Sequence, residues 1–271
     1  MRVQPALRVE IKRRSHRTDE TITCPGDLLQ LDTHRIMCGD ATDPEVVQRV
    51  LEDESPNLMV TEPPYEINYT PTWKKRRGLS NLLTATWMLF PGDVCYVWHS
   101  SLEASKVEES LNASGFVCKS QIIWAKNLCE PSGSNYDWQH EPCWYAVRKD
   151  KAARWNCSLP ESTLWTIPHI DSMESQEDEI TGHFAQKPLE CMARPIRFHS
   201  EKGDAVYEPF CGSGSSLIAC ELLGRKCLAL ELTPSFCDLI IRRWIRFRKR
   251  LGKEIAIMRN GSFTTAYTTM S

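Results

Sequence analysis

Two short stretches of this chain carry side chains that do chemistry, and each follows an apolar run. The first is Thr61-Glu62-Pro63-Pro64-Tyr65. Neither proline has a backbone N–H to give to a sheet, so a strand ends there. The stiffened chain aims a carboxylate, a carbonyl and an aromatic ring at one place. The second is Glu208-Pro209-Phe210-Cys211-Gly212-Ser213-Gly214, followed by Ser215-Ser216. Gly212 and Gly214 permit a tight turn and a close approach of backbone to a ligand. A later apolar run ends at Glu231, 17 residues beyond Gly214, where a carboxylate can accept hydrogen bonds from both hydroxyls of a ribose. Together these residues fit a nucleoside-containing cofactor at the carboxyl ends of parallel strands. Taken singly, each has a plainer reading, because Gly-x-Gly is a common tight turn and Pro-Pro a rigid strand exit. A nicotinamide dinucleotide would also explain the Gly-rich turn. It leaves residues 61–65 without a task, however, and Leu217 stands where the third glycine of its fingerprint belongs.

The elements that must position these residues read as short apolar runs alternating with amphipathic stretches. The pattern predicts strands at His34–Cys38, Asn57–Thr61, Asp93–Trp98, Phe116–Trp124, Ala205–Phe210 and Lys226–Leu232. Between them it predicts helices at Pro44–Leu51, Leu82–Phe90, Leu102–Ala113, Leu189–His199, Ser216–Leu223 and Ser235–Lys249. Continuously apolar strands alternating with helices imply a sheet covered on both faces. The expected class is therefore α/β: a Rossmann-like, doubly wound, mostly parallel sheet. Five segments follow along the chain: a polar arm at 1–27, a first half-domain at 28–126, a variable region at 127–182, a second half-domain at 183–250 and a C-terminal tail at 251–271, expected to fray after Gly261. In the variable region, rich in Trp, Pro and Ser, only Pro142–Val147 reads as a strand, and the acidic run Asp171–Glu179 reads as a loop.

In combination and order, these motifs resemble those of the S-adenosylmethionine-dependent DNA amino-methyltransferases, which act on adenine N6 or cytosine N4. That family's catalytic motif is usually Asp-Pro-Pro-Tyr, and its cofactor motif Asp-Pro-Phe-x-Gly-Ser-Gly. Gly39-Asp40-Ala41 is similar to the element near the cofactor adenine, and Gln186-Lys187-Pro188 to the methionine-side motif. Catalytic motif first, variable region next and cofactor motif last is the order of the family's β class. The resemblance spans roughly His34 to Trp244 and implies the class I methyltransferase fold, S-adenosylmethionine as cofactor and double-stranded DNA as substrate. It implies catalytic roles for Glu62, Pro63, Pro64 and Tyr65. It implies cofactor contacts for Asp40, Ala41, Lys187, Pro188, Glu208, Pro209, Phe210, Gly212, Ser213, Gly214 and Glu231. In such a site the Glu62 carboxylate and the Pro63 carbonyl accept the two hydrogens of an exocyclic amine, and Tyr65 stacks on a base drawn out of the helix. The acidic first residue favours adenine over cytosine. The chain departs from the pattern by carrying Glu at 62 and 208 where Asp is usual. An extra methylene moves a carboxylate by about 1 Å, a displacement that matters in catalysis, so Glu62→Asp is expected to raise transfer. The same two departures support the alternative of a catalytically impaired DNA- or cofactor-binding module derived from such an enzyme. The basic run Lys74-Lys75-Arg76-Arg77, directly after the catalytic motif, is expected to contact DNA phosphates.

Composition sets outer limits. The chain has 271 residues, 41% of them apolar, and a net charge of −2, enough for a full core without a metal or disulfide staple. Its 12 cysteines are scattered singly, with no zinc-ligand spacing, so no metal site is expected. Reduced thiols, no apolar run near the ~20 residues of a membrane span and no secretory h-region suggest a cytoplasmic protein. The resemblance adds a bacterial or phage origin, a restriction-modification setting and a monomer or homodimer. Cys143, after Pro142, could act as a ring-attacking thiolate, but a buried structural cysteine is the simpler reading. The aromatic group Tyr136, Trp138, Trp144 and Tyr145 serves either base stacking or core packing.

Overall fold

The structure, a computed structural model, describes residues 21–64, 78–130, 132–133, 135–171 and 186–268. Its strands are β1 (Leu28–Leu31), β2 (His34–Cys38), β3 (Leu58–Thr61), β4 (Val94–Trp98), β5 (Phe116–Glu130), β6 (Trp138–Arg148), β7 (Leu164–Thr166), β8 (Ala205–Glu208), β9 (Lys226–Glu231), β10 (Ile257–Arg259) and β11 (Ser262–Phe263). Its helices are α1 (Pro44–Leu51), α2 (Leu79–Met88), α3 (Ala104–Ala113), α4 (Leu189–His199), α5 (Ser215–Leu223) and α6 (Pro234–Arg250). The strands form one mixed sheet in the order β11-β10-β1-β2-β9-β8-β3-β4-β6-β5-β7. Its centre, β2-β9-β8-β3-β4, is parallel throughout.

Both faces of that centre are covered, which is why its strands are apolar at every position. In β3, Leu58 and Val60 pack among Ile196, Leu217, Ile240 and Trp244 of α4, α5 and α6. The intervening Met59 faces Val50, Leu83, Trp87 and Leu111 of α1, α2 and α3. Side chains alternate across a pleated strand, so a strand buried on both sides must be apolar throughout. Local signals set the helix starts. Asp43 caps α1 by accepting from the Glu45 N–H, with Pro44 in the first turn, and Pro234 opens α6 in the same way.

The edges differ from the sequence expectation. The C-terminal tail supplies β10 and, within the part expected to fray, β11, antiparallel additions beyond β1. Tyr267 is fully buried, and its hydroxyl lies 3.0 Å from Thr23 Oγ1. Part of the polar N-terminal arm is also fixed, because the buried Asp238 carboxylate of α6 accepts from the backbone of Ile22 and Thr23. Strands of two or three residues carry no periodic signal, and long-range pairing alone orders them. The strands expected at Phe116–Trp124 and Pro142–Val147 run longer, as β5 and β6, and form a long antiparallel hairpin beside β4; the variable region adds β7, parallel to β5.

Candidate active site

Four parallel strands end at one cavity. β2 runs out into Gly39-Asp40-Ala41, β3 into Glu62-Pro63-Pro64, β8 into Pro209–Gly214, and β9 ends on Glu231. These segments, with the turn Ser100–Glu103, Lys187 and Met192, line a pocket of about 460 Å³. Carboxyl ends of parallel strands are where open α/β sheets bind ligands, and the volume lies in the range of small-molecule sites. Of the residues singled out in the sequence, Asp40, Ala41, Glu62, Pro63, Pro64, Lys187, Glu208, Pro209, Phe210, Gly212, Ser213 and Glu231 reach this cavity. Gly214 and Pro188 sit just behind it as the N-caps of α5 and α4. Tyr65 and the basic run Lys74–Arg77 lie outside the described residues.

Backbone requirements shape the floor. Gly212 and Gly214 have φ of 53° and 83°, left-handed values that glycine adopts without strain. A Cβ on Gly39 would come within 2.6 Å of Val46, so the turn after β2 can approach α1 only as glycine. The Gly-rich turn is also held from behind: buried Arg243 donates to the Ser213 carbonyl and to Ser215 Oγ, and Ser215 donates to the Lys187 carbonyl.

The carboxylates of the site are held in different ways. Glu231 accepts from the Gly212 N–H at 2.9 Å and the Thr233 N–H at 2.8 Å, one on each oxygen. Asp40 Oδ1 accepts from the N–H and hydroxyl of Thr42. Glu208 is 2% exposed and accepts from Ser216 Oγ at 2.6 Å, the Phe210 N–H at 3.1 Å and Thr61 Oγ1. Its longer side chain thus reaches across to β3, tying the two motif strands together. Burial pushes its carboxyl up to about 7 against those hydrogen bonds. Glu62 instead meets the ammonium of Lys187, whose other partner is Glu141 Oε2 at 2.9 Å. Burial raises the Glu62 carboxyl, and Lys187, shared with Glu141, does not cancel that effect. For Lys187, burial favours the neutral amine, but the Glu141 and Glu62 carboxylates win and hold it protonated.

The described lining has five carboxyls, Asp40, Glu62, Glu103, Glu208 and Glu231, against one ammonium, Lys187. A pyrophosphate placed here would meet like charge, which disfavours a dinucleotide and suits a ligand carrying positive charge. Residues 57–242 match the model of the N6/N4 family described as DNA methylase. This chain belongs to the S-adenosylmethionine-dependent DNA amino-methyltransferases. It is 27% identical over 143 residues to the type II methyltransferase M2.MboI of Moraxella bovis, covering 50% of this chain and 47% of that protein. The chain therefore spans about half the length of the curated relatives it matches. In fold it resembles the M1.HpyAVI–SAM complex, with a TM-score of 0.61 and 24% identity over 80% of this chain and 98% of that one. It also resembles the cytosine-N4-specific PvuII DNA methyltransferase, with a TM-score of 0.61 and 16% identity over 80% and 86%.

The residues present fit the family's cofactor. Glu231 is fixed by backbone amides at the end of β9, Asp40 lies at the end of β2, and the carboxyl-rich wall suits a sulfonium. Among the described residues no cluster could hold a metal ion, and no helix is long and apolar enough to cross a membrane. Other assignments also resolve. Cys143 is fully buried, and burial holds its thiol well above the usual range, as befits a structural cysteine. Trp144 and Tyr145 pack inward, against His99 and Tyr96 respectively, whereas Tyr136 is exposed. Sequence reasoning missed Thr61 as a partner of Glu208, Arg243 as the brace of the Gly-rich turn, and Glu141 and Lys126 behind Lys187. Thr61 lies in the Pro-Pro motif, but nothing local points it at Glu208, and Arg243, Glu141 and Lys126 are single polar residues without a local motif.

Proposed function

We propose that this methyltransferase transfers a methyl group from S-adenosylmethionine to the exocyclic amine of adenine, at N6, in double-stranded DNA. The observation that carries the reading is the convergence, on one cavity, of the acidic Pro-Pro exit of β3 with the Gly-rich turn and Glu231. When bound, the cofactor supplies an electrophilic methyl on a sulfonium. The protein's task is to make a weak nucleophile attack it. An exocyclic amine delocalises its lone pair into the ring; two acceptors on its hydrogens localise that pair. Lys187 engages Glu62 Oε1, which leaves Oε2 to accept one amine hydrogen, and the Pro63 carbonyl accepts the other. After transfer the nitrogen must shed a proton, and a carboxyl raised by burial can take it at Oε2. Pro63 and Pro64 fix the direction of both acceptors. Tyr65 would stack on the extruded base, and Lys74, Lys75, Arg76 and Arg77 would neutralise phosphates beside it.

Cytosine N4 is the second reading, because its amine presents the same chemistry and the fold is shared with a cytosine-N4 enzyme. Incubation of mixed-sequence DNA with methyl-labelled cofactor, followed by digestion to nucleosides and mass spectrometry, separates the two. N6-methyladenine is the expected product. N4-methylcytosine would move the assignment to the second reading, and absence of label on every DNA would refute both.

A further inference from the structure

Behind Glu62 runs a line of alternating charges that the transfer chemistry does not by itself require. Lys187 bridges Glu62 and Glu141. Glu141, on β6, uses its other oxygen, Oε1, to accept from Lys126 Nζ at 2.5 Å. Lys126, on β5, also donates to Glu130 Oε1 at 2.6 Å, and Glu130 meets His169 at 3.2 Å. The Lys126 side chain is fully buried and that of Lys187 nearly so, at 0% and 4% exposure. Two ammonium groups are kept out of water next to the catalytic cavity at a large desolvation cost. An apolar pair would fill the same space at lower cost, so the stability of the fold alone does not account for the arrangement.

The geometry sets up a competition. Glu62 and Glu141 both pull on one ammonium, Lys187. If Glu141 carried its full charge unopposed, it would draw Lys187 away from Glu62. Lys126, on the far oxygen of Glu141, offsets that charge and leaves Lys187 with Glu62. We propose that Lys126 and Glu141 are positioning residues, a counterbalanced pair on the β5–β6 hairpin that sets how firmly Lys187 holds the catalytic carboxylate of Glu62. The proposal rests on the reading of Glu62 as the amine's acceptor. It also accounts for a glutamate at position 62, since the longer side chain is the one that spans to Lys187.

Charged groups bear on Glu62 from several elements: Lys187 ahead of α4, Glu141 on β6 and Lys126 on β5, while Glu208 on β8 in turn feels the charge of Glu62. Removing either member of the pair must therefore move Glu62 in opposite directions. Lys126→Met leaves two carboxylates competing for Lys187, so Glu62 should ionise at higher pH. Glu141→Gln gives Lys187 to Glu62 alone, so Glu62 should ionise at lower pH. The double variant Lys126→Met/Glu141→Gln removes both charges and should return toward the native value. A merely structural role would give losses of the same sign, with no compensation.

The test uses the full-length protein with ¹³C-labelled glutamate carboxyls. Glu62 is assigned by its absence from Glu62→Gln, and its titration is followed in native, single and double variants. Single-turnover methyl transfer is measured across pH in parallel. Opposed displacements on the order of one pH unit, tenfold in rate on the acidic limb, with cofactor affinity held within about twofold, support the proposal. Displacements of the same sign, or none, overturn it. Should Lys126→Met fail to fold, Glu141→Gln and the double variant still decide, because the first must titrate lower than native and the second higher than the first. If no protein transfers methyl groups to any DNA, the functional reading fails, while the carboxyl titration still decides the wiring.

Discussion

The two sides of the cavity hold their carboxylates by different means. On the cofactor side, Glu231 is clamped by the backbone N–H groups of Gly212 and Thr233, and those groups are placed by a glycine turn. On the acceptor side, Glu62 is held by the side chain of Lys187, which in turn answers to Glu141 and Lys126. Backbone clamps are cheap, local and insensitive to which side chains surround them. Side-chain clamps are long-range and adjustable, and they cost desolvation. The difference suits the two tasks proposed for them: binding an unchanging cofactor against tuning an acceptor for a base that arrives and leaves.

Three substitutions break or sharpen this contrast, from the largest effect down. Glu62→Ala removes the acceptor proposed to be engaged in the transition state, so single-turnover transfer should fall on the order of 100- to 10,000-fold while calorimetric cofactor affinity is nearly unchanged. A loss of cofactor binding instead would mean that Glu62 serves the cofactor side. Glu231→Ala should do the reverse, weakening cofactor binding by roughly 10- to 100-fold through lost hydrogen bonds to a charged acceptor. If calorimetry shows native affinity, Glu231 is only the brace of the turn. Glu62→Asp tests the adjustable side most finely. Side-chain length alone predicts a gain in rate, because Asp is usual in the family. The Lys187 contact predicts a loss of about tenfold, since retracting the carboxylate by roughly 1 Å breaks the ion pair. A faster Asp variant would show that the ion pair is incidental.

The same contrast explains what the sequence disclosed. The parallel centre was legible because strands buried on both faces must be apolar throughout, and the Gly-rich turn because its φ values demand glycine at fixed places. Glu231 was legible through its spacing from that turn. Lys126 and Glu141 gave no such signal, and Lys187 stood out only as an expected cofactor contact, not as the partner of Glu62. Lys126 and Glu141 are 15 residues apart and Lys187 is 125 residues from Glu62, and only the folded sheet brings them together. Thr61 beside Glu208 is the same case, a contact across two strands separated by 147 residues. The edge strands β10 and β11 went unread for a related reason, being too short to show a period.

Glu208 offers the last and gentlest test, one of stability and not of rate. In the family pattern this position is an acid near the cofactor, yet here its oxygens are taken up by Ser216, Phe210 and Thr61. Burial lifts its carboxyl to about 7 from the usual 4.5. A carboxyl raised in the folded state binds more protons there than in the unfolded chain between those two values. Folding stability therefore falls as pH rises from about 4.5 through 7, and levels off above. The full span corresponds to a cost on the order of 3 kcal/mol at pH 8, or several degrees in Tm. Glu208→Gln keeps the shape and removes the charge. Its amide can donate to Ser216, whose hydroxyl then turns to the Val60 carbonyl at 3.4 Å, while its oxygen keeps the Phe210 and Thr61 donors. The native Tm should thus drop between pH 5 and 8 by several degrees more than that of Glu208→Gln, with cofactor affinity little changed. Parallel Tm profiles would mean that Glu208 is ionised throughout, and a large loss of cofactor affinity would return it to the binding role the family pattern gives it.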